Sequence, residues 1–380
     1  MTRMSDAMSR IYLDFNASTP LAPEVRAAMA QMLEDPFGNP SSSHWAGRPA
    51  RQAVDEARIK VARLLGAKPD EIVFTSGGSE ANNHALKGAF FRAGRRDVHI
   101  ITTQVEHPAI ISPCRFLETL GASVTYLPVD GYGRVNPDDV RRALRPETVL
   151  VSVMHANNEV GTIQPIAEIS RLLRGTGILL HTDAAQSVGK IACNVAELGV
   201  DLLSVAGHKL YGPKGVGALY IREGVFLERL IHGAGHESGR RAGTENVLLN
   251  AALGAACEVA AQWIDMEPVK ILRDYFWDRL LSVFGEKVVM LGHPAERLPN
   301  TLNVSFVGRN GAELLSRMPR IAASTGSACH SGSVKLSPVL QALKVPPKIG
   351  MGAIRFSLGR GTKKEEIDVV VEDLIQAANR

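Results

Sequence analysis

Between residue 50 and about residue 235 the apolar positions switch repeatedly between two spacings. ARQAVDEARIKVARLLGA (50–67) places its apolar residues three and four apart, as an amphipathic helix does, while EIVFTS (71–76) is a short apolar run that reads as a buried strand. The switching continues through SEANNHALKGAFFRAG (helix), VHIITT (strand) and HPAIISPCRFLETLG (helix). Five β-rich runs follow, SVTYLPV, TVLVSVM, GILLHTD, DLLSVAG and GALYIR, with helices such as NPDDVRRAL and PIAEISRLLRG between them. Pro137 after Asn136 is a good helix start. Repeated βα units whose strands are continuously apolar predict an α/β domain built on a mostly parallel, helix-covered sheet.

Past residue 245 the texture changes. NVLLNAALGAACEVAAQWIDMEPVKILRDYFWDRLLSVFG is one long helical pattern interrupted by Pro268, which predicts two helices or a kinked one leading into a second domain. TLNVSFVG, ELLSRM, SPVLQAL, AIRFSLG and the terminal EEIDVVVEDLIQAANR then predict a smaller α+β domain. No internal repeat or low-complexity stretch is found.

Composition narrows the class. With 45% hydrophobic and 22% charged residues over 380 positions, the chain has material for a large core and is not a disordered protein. The net charge of +4 comes from basic residues interleaved with acids on helix surfaces, so no nucleic-acid-binding stripe is expected. No window approaches the roughly 20 apolar residues of a membrane span, and the first residues lack an apolar leader core, so the expected location is the cytoplasm, with no membrane partner. Four cysteines lie far apart without a Cys-x-x-Cys pair, which argues against a zinc site or disulfide framework, and no metal is expected. Cys114, Cys193 and Cys257 have apolar settings that suit core positions. Cys329 is different: AASTGSACHSGS (322–333) surrounds it with loop formers.

Four stretches carry unusual chemistry, each just after a strand, where open α/β sheets bind ligands. FTSGGSEANN (74–83) runs through Gly77 and Gly78 into a helix opening with Ser79 and Glu80, a place for a phosphate. VEHPA puts His107 before a helix, where it could cap the helix or act in chemistry. HTDAAQSVGK ends an apolar strand on Asp183, a structural carboxylate or a partner for a cationic ring nitrogen. SVAGHKLYGPKG ends another strand at His208 and Lys209, a lysine placed for Schiff-base chemistry. Together, a phosphate cradle, an imidazole, a carboxylate and a lysine are the parts that hold pyridoxal 5′-phosphate. The G-x-G-x-x-G fingerprint of a nicotinamide site and a Walker A loop are both missing.

The chain resembles the cysteine desulfurases of the nitrogen-fixation and iron–sulfur-cluster type, within the class V aminotransferase superfamily, over essentially its whole length. The matching stretches are LDFNASTP, GNPSSSHWAGR, FTSGGSEANN, EHPA, HANNEVGTIQPI, HTDAAQSVGK, GHKLYGPKGVGALY, RRAGTENV, STGSACHSGS and IRFSLGR. The resemblance implies the fold type I architecture of pyridoxal-phosphate-dependent transferases, with a seven-stranded, mostly parallel sheet in a large domain over 21–262. A smaller α+β domain would cover 263–380 and carry the Cys329 loop at about 322–336, and residues 1–20 would join it.

The resemblance also implies roles. Lys209 would form the Schiff base, Asp183 would pair with the pyridine nitrogen, His107 would stack on the ring, and Gln186 and Asn158 would contact its phenolic oxygen. Gly78, Ser79 and His208 would hold the phosphate, joined by Thr244 from the partner of a homodimer. Arg355 would clamp the substrate carboxylate, a task suited to guanidinium, helped by Asn16. Relatives commonly carry a serine or threonine three residues before the lysine; here it is Ala206.

On this reading Cys329 visits the cofactor to collect sulfur and leaves to deliver it, which a core cysteine could not do. Lys209 would take the Cα proton of L-cysteine and His107 would handle protons. The Cys329 thiolate would attack the substrate sulfur, giving a persulfide and L-alanine, with the sulfur passed to an acceptor protein. GHK, RAGTENV, LPNT and ACHS are also similar to selenocysteine lyases, so that activity stays open, as do an aminotransferase of the same fold and a catalytically silent scaffold for sulfur acceptors.

Overall fold

The computed structural model describes residues 10–264, 266–325, 327–330 and 333–379, with the backbone alone for 327–330 and 333–335. A first short strand, β1 (Ile11–Tyr12), is followed by helices α1 (Pro23–Glu34) and α2 (Gly47–Leu65). The main sheet is built from β2 (Ile72–Thr75), β3 (His99–Thr103), β4 (Ser123–Leu127), β5 (Thr148–Ser152), β6 (Leu179–Asp183), β7 (Leu202–Ala206) and β8 (Gly217–Ile221). Its seven strands lie in the order β2-β8-β7-β6-β5-β3-β4, and only β8 runs against the rest. The alternating βα pattern therefore folds as the sequence predicts.

Side chains alternate across this sheet and feed two cores. Ile101, Val151, Leu203 and Ala218 pack with Val54, Ala57 and Val61 of α2 and with Leu253 and Ala256 of the helix Val247–Ala261. Their neighbours Ile100, Leu150, Leu202 and Leu219 pack on the other face against helices α3 (Gly78–Arg92) and α4 (Pro108–Glu118). The buried stripe of α2 lies so close to the helix Val247–Ala261 that a Cβ at Gly254 would fall 2.7 Å from the Ala57 Cα, so glycine permits the contact.

A second sheet is formed by β9 (Val288–Leu291), β10 (Thr301–Phe306), β12 (Ser324–Thr325) and β15 (Ala353–Ser357), all antiparallel, in the order β12-β15-β10-β9. Phe276 and Leu280 of the helix Glu267–Phe284 and Val370, Val371 and Leu374 of the helix Lys364–Asn379 cover it. Strand β1 pairs in parallel with β11 (Ile321–Ala322), and Ile11 and Leu13 pack in this second core. Pro268 does not break a helix. It sits in the first turn of Glu267–Phe284, where its missing N–H leaves no bond unmade, so the long pattern resolves into two helices.

The stretch read as a loop around Cys329 has a hairpin backbone, β13 (Ser327–His330) paired antiparallel with β14 (Ser333–Leu336), Cys329 opposite Val334. The β-branched Val334 favours extended backbone within this otherwise loop-forming composition. The side chain of Cys329 lies outside the described residues.

No helix among the described residues is long and apolar enough to cross a membrane. Phe276 is fully buried, its ring centroid 5.0 Å from that of Phe356. Phe276→Ala should lower the unfolding free energy by about 3 to 5 kcal/mol, measured by denaturant titration, because a ring-sized cavity opens between a helix and β15.

Candidate active site

The C-terminal ends of β6 and β7 and the N-terminus of α3 converge on a cleft of 680 Å³. Asp183, Gln186, His208 and Lys209 line it from the strand ends, and Gly78 and Ser79 from the start of α3. His107 lies before α4, Asn158 after β5, Asn16 after β1, and Arg355 comes from the middle of β15. Ten residues named from the sequence thus share one cavity, although their positions run from 16 to 355.

The Lys209 amine donates to the backbone carbonyls of Asn16 and Ala17 at 2.6 and 2.8 Å. Burial and the Arg355 guanidinium push its pKa down to about 8, against the pull of Asp14 and Asp183. The Asp183 carboxylate is buried and receives Asn82 Nδ2 on one oxygen at 2.7 Å and the Ala185 N–H on the other at 3.0 Å. A carboxylate fixed in this way suits a cationic nitrogen.

His107 caps α4 as well as facing the cleft. The Ala109 N–H donates to Nδ1 at 3.1 Å, so the proton of the neutral ring sits on Nε2. The surrounding protein and the Lys209 amine hold its pKa below the ordinary imidazole value, with Asp183 opposing. Neutral imidazole therefore prevails at pH 7.

Arg355 is buried between Asp14, whose Oδ1 receives Nη2 at 2.7 Å, and the Asn158 carbonyl, which receives Nη1 at 2.8 Å. Asp14 also accepts from Ser324 Oγ at 2.9 Å, which ties the guanidinium to the strand leading toward the Cys329 hairpin. Asp14 was not singled out from the sequence, nor was Asn82. LDFNASTP and FTSGGSEANN contain both, and the signal for Asn82 was its place one turn into the helix, facing back to the strand ends.

The cleft is shaped for a polar ligand. Among the described residues, His208 Nδ1, Ser18 Oγ and Arg355 Nε in its wall are buried and have no hydrogen-bond partner, a cost that folded proteins rarely leave unmet. A Cβ at Gly78 would meet the Ala206 methyl at 3.2 Å, so the turn into α3 lies directly on the end of β7. A lysine, a fixed carboxylate, a helix N-terminus and an arginine around one cavity fit pyridoxal 5′-phosphate together with an amino-acid carboxylate. At position 206, where the resemblance leads one to expect a hydroxyl, the Ala206 methyl lines the wall.

Of the predicted residues whose side chains are described, one stands apart. Thr244 is exposed and lines a neighbouring hollow that shares Ser76, Gly215 and Val216 with the cleft. Cys329 lies on the hairpin described above.

Residues 11–370 match the family model described as aminotransferase class-V. A cysteine desulfurase IscS of Dictyoglomus turgidum is 50% identical over 368 residues, 96% of this chain and 93% of that one. A cysteine desulfurase 2 of Trichormus variabilis is 48% identical, covering 96% and 92%. Among solved structures, a NifS-like protein superposes with a TM-score of 0.91 at 36% identity over 97% of this chain and 99% of that one. A structure described as SspA in complex with cysteine gives 0.82 at 37% identity, over 92% and 98%.

The lowered pKa of Lys209 makes a prediction for the cofactor-free protein. Below about pH 8 the folded and unfolded states both carry the proton, and burying it costs stability; between about 8 and 10.5 only the unfolded state keeps it, so stability rises with pH. The stability of Lys209→Met relative to wild type should therefore be up to about 3 kcal/mol more favourable at pH 7 than near pH 10.5. Urea unfolding across that range measures it, and a difference independent of pH would contradict the assigned burial.

Proposed function

We propose, on the premise that the chain belongs to the aminotransferase class-V family, that the cleft takes L-cysteine and that Cys329 collects its sulfur. The chain is a pyridoxal-phosphate-dependent cysteine desulfurase, which converts L-cysteine to L-alanine and transfers the sulfur to an enzyme cysteine as a persulfide. The observation that carries the reading is the shared cleft: a lysine with lowered pKa, a fixed carboxylate and a buried arginine line one cavity.

Lys209 would anchor the cofactor, Asp183 would hold its ring nitrogen protonated, and Gln186 and Asn158 would meet its phenolic oxygen. Gly78, Ser79 and His208 would receive its phosphate. When bound, the cofactor supplies an electron sink that stabilises negative charge at the substrate Cα.

The protein's own groups supply the rest. Arg355 binds the substrate carboxylate beside Asp14 and Asn158, with Asn16 shaping that end of the cleft. The Lys209 amine, unprotonated in a usable fraction near neutral pH, takes the Cα proton. His107 presents Nε2–H to the cleft and exchanges protons with the departing and arriving groups. The Cys329 thiolate forms a bond to the substrate sulfur as the Cβ–S bond breaks, and the electron pair of that bond stays on carbon until a proton completes alanine. The persulfide then passes to an acceptor protein, and assembly of iron–sulfur clusters is the use we favour.

We also propose that the enzyme is a homodimer in which Thr244 completes the partner's phosphate site. Thr244 is exposed, and its segment is fixed to the start of α3 by the Arg241–Glu80 ion pair at 2.9 Å, beside the phosphate end of the cleft.

Two variants test the chemistry. With [35S]cysteine, Lys209→Ala should lower alanine formation by about 10³-fold, the scale of losing a positioned general base. Cys329→Ser should leave no label on the protein while still binding cysteine. Labelled persulfide on Cys329→Ser, or near wild-type turnover by Lys209→Ala, would sink the assignment.

A further inference from the structure

We propose that Lys190 is a positioning residue that fixes which way the Gln186 amide is turned. Lys190 follows Gln186 by four residues, is 5% exposed, and was not singled out in the sequence. Its Nζ lies 2.9 Å from Gln186 Oε1 and 3.2 Å from Asn16 Oδ1. No carboxylate pairs with it among the described residues.

A buried amine without a counter-ion is expensive, and a methionine of similar length would be cheaper there. What the amine does that a thioether cannot is donate twice. Charged or neutral, it offers N–H groups to both oxygens; as an ammonium it can only donate. Burial, with Lys209 and Arg355 nearby, pushes its pKa well below the ordinary value, and the two donations survive loss of the proton.

A glutamine amide has two nearly isosteric ends, so its direction is set by its partners. Lys190 holds Oε1, which leaves the NH₂ end for the other contacts. One N–H goes to the Asn16 carbonyl at 2.9 Å, and Gln186 lines the cleft. The same grip sets Asn16: Oδ1 receives Lys190 and Asn300 Nδ2 at 3.1 Å, while Nδ2 donates to Thr301 Oγ1 at 2.8 Å. The Asn16 carbonyl, steadied in this way, is also an acceptor of the Lys209 amine. The chain of contacts runs from Lys190 through two amides to the cleft.

The consequence rests on the reading that Gln186 meets the cofactor's phenolic oxygen. An N–H donated to that oxygen favours its charged form and lowers the pH midpoint at which the bound cofactor's visible absorption changes. Without Lys190 the amide can present its oxygen instead, and the midpoint rises.

The test is a spectroscopic pH titration of the holoenzyme for wild type, Lys190→Met, Lys190→Arg, Gln186→Leu and the Lys190→Met/Gln186→Leu double variant, with the melting temperature of each. Lys190→Met is expected to raise the midpoint by about 0.5 to 1 unit, the worth of one hydrogen bond. Gln186→Leu should give a similar rise and the double variant no more than either alone, since one residue acts through the other. Lys190→Arg, which also only donates, should stay at the wild-type midpoint. Lys190→Leu, which likewise cannot donate, replaces the Met variant if that one does not fold, with a rise in the same direction expected. A rise in Gln186→Leu but none in Lys190→Met overturns the proposal alone, as does a double variant whose shift is the sum of the singles. A Gln186→Leu variant with an unmoved midpoint overturns the placement of Gln186 and the proposal with it.

Discussion

The cleft hangs on Asn16. Its backbone carbonyl accepts from Lys209 at 2.6 Å and from Gln186 at 2.9 Å, its N–H donates to Ser357 Oγ at 2.9 Å, and its side chain reaches Thr301. One fully buried residue on the segment after β1 therefore joins the ends of β6 and β7, which belong to the large sheet, to β10 and β15, which belong to the small one. The cofactor residues and Arg355 come from different sheets, so their spacing is only as good as this joint. Placement within a fraction of an ångström is what positioned catalysis requires.

The large sheet is stiffened below the site by polar groups where apolar ones would be expected. Ser152 Oγ, His181 and Ser204 Oγ form a row across β5, β6 and β7, with contacts of 2.9 and 3.0 Å to the two ring nitrogens. All three are fully buried, and burial pushes the His181 pKa down to about 3, so the ring stays neutral. A neutral imidazole has one donor and one acceptor, and each hydroxyl can answer either. The row is fully paired and ties the strands laterally two residues before Asp183.

Much of this was legible in the sequence because the large sheet is made of continuous apolar runs that no helix surface would tolerate. The residues at the strand ends stood out by contrast, Asp183 and Lys209 being charges at the close of buried strands. Other parts were hidden for definite reasons. α1 and β9 have weak patterns, since α1 buries little beyond Val25 and β9 is an edge strand of four residues. Asp14 and Lys190 matter only through partners hundreds of residues away or through an amide's direction, and neither relation leaves a period or spacing. Pro268 was seen as a break because a proline inside a helical pattern and one at a helix start look alike until the turn before it is known.

The charges of the cleft explain why its parts sit as they do. Lys209, Lys214 and Arg355 face it, against Asp183 and Glu80. Glu80 is committed to Arg241 and the Ser76 N–H, which outweigh burial and hold its pKa below the usual carboxylate value. Arg355 is partly balanced by Asp14, outside the cavity lining. Positive charge is therefore in excess at both ends, near the helix N-terminus and near β15, with the Asp183 carboxylate between them. A ligand with a phosphate at one end, an amino-acid carboxylate at the other and a cationic ring nitrogen in the middle matches that sequence of charges. The mutual repulsion of Lys209 and Arg355, which helps lower the lysine pKa, is the same field that draws the carboxylate in. One distribution of charge thus prepares the base and selects what it acts on.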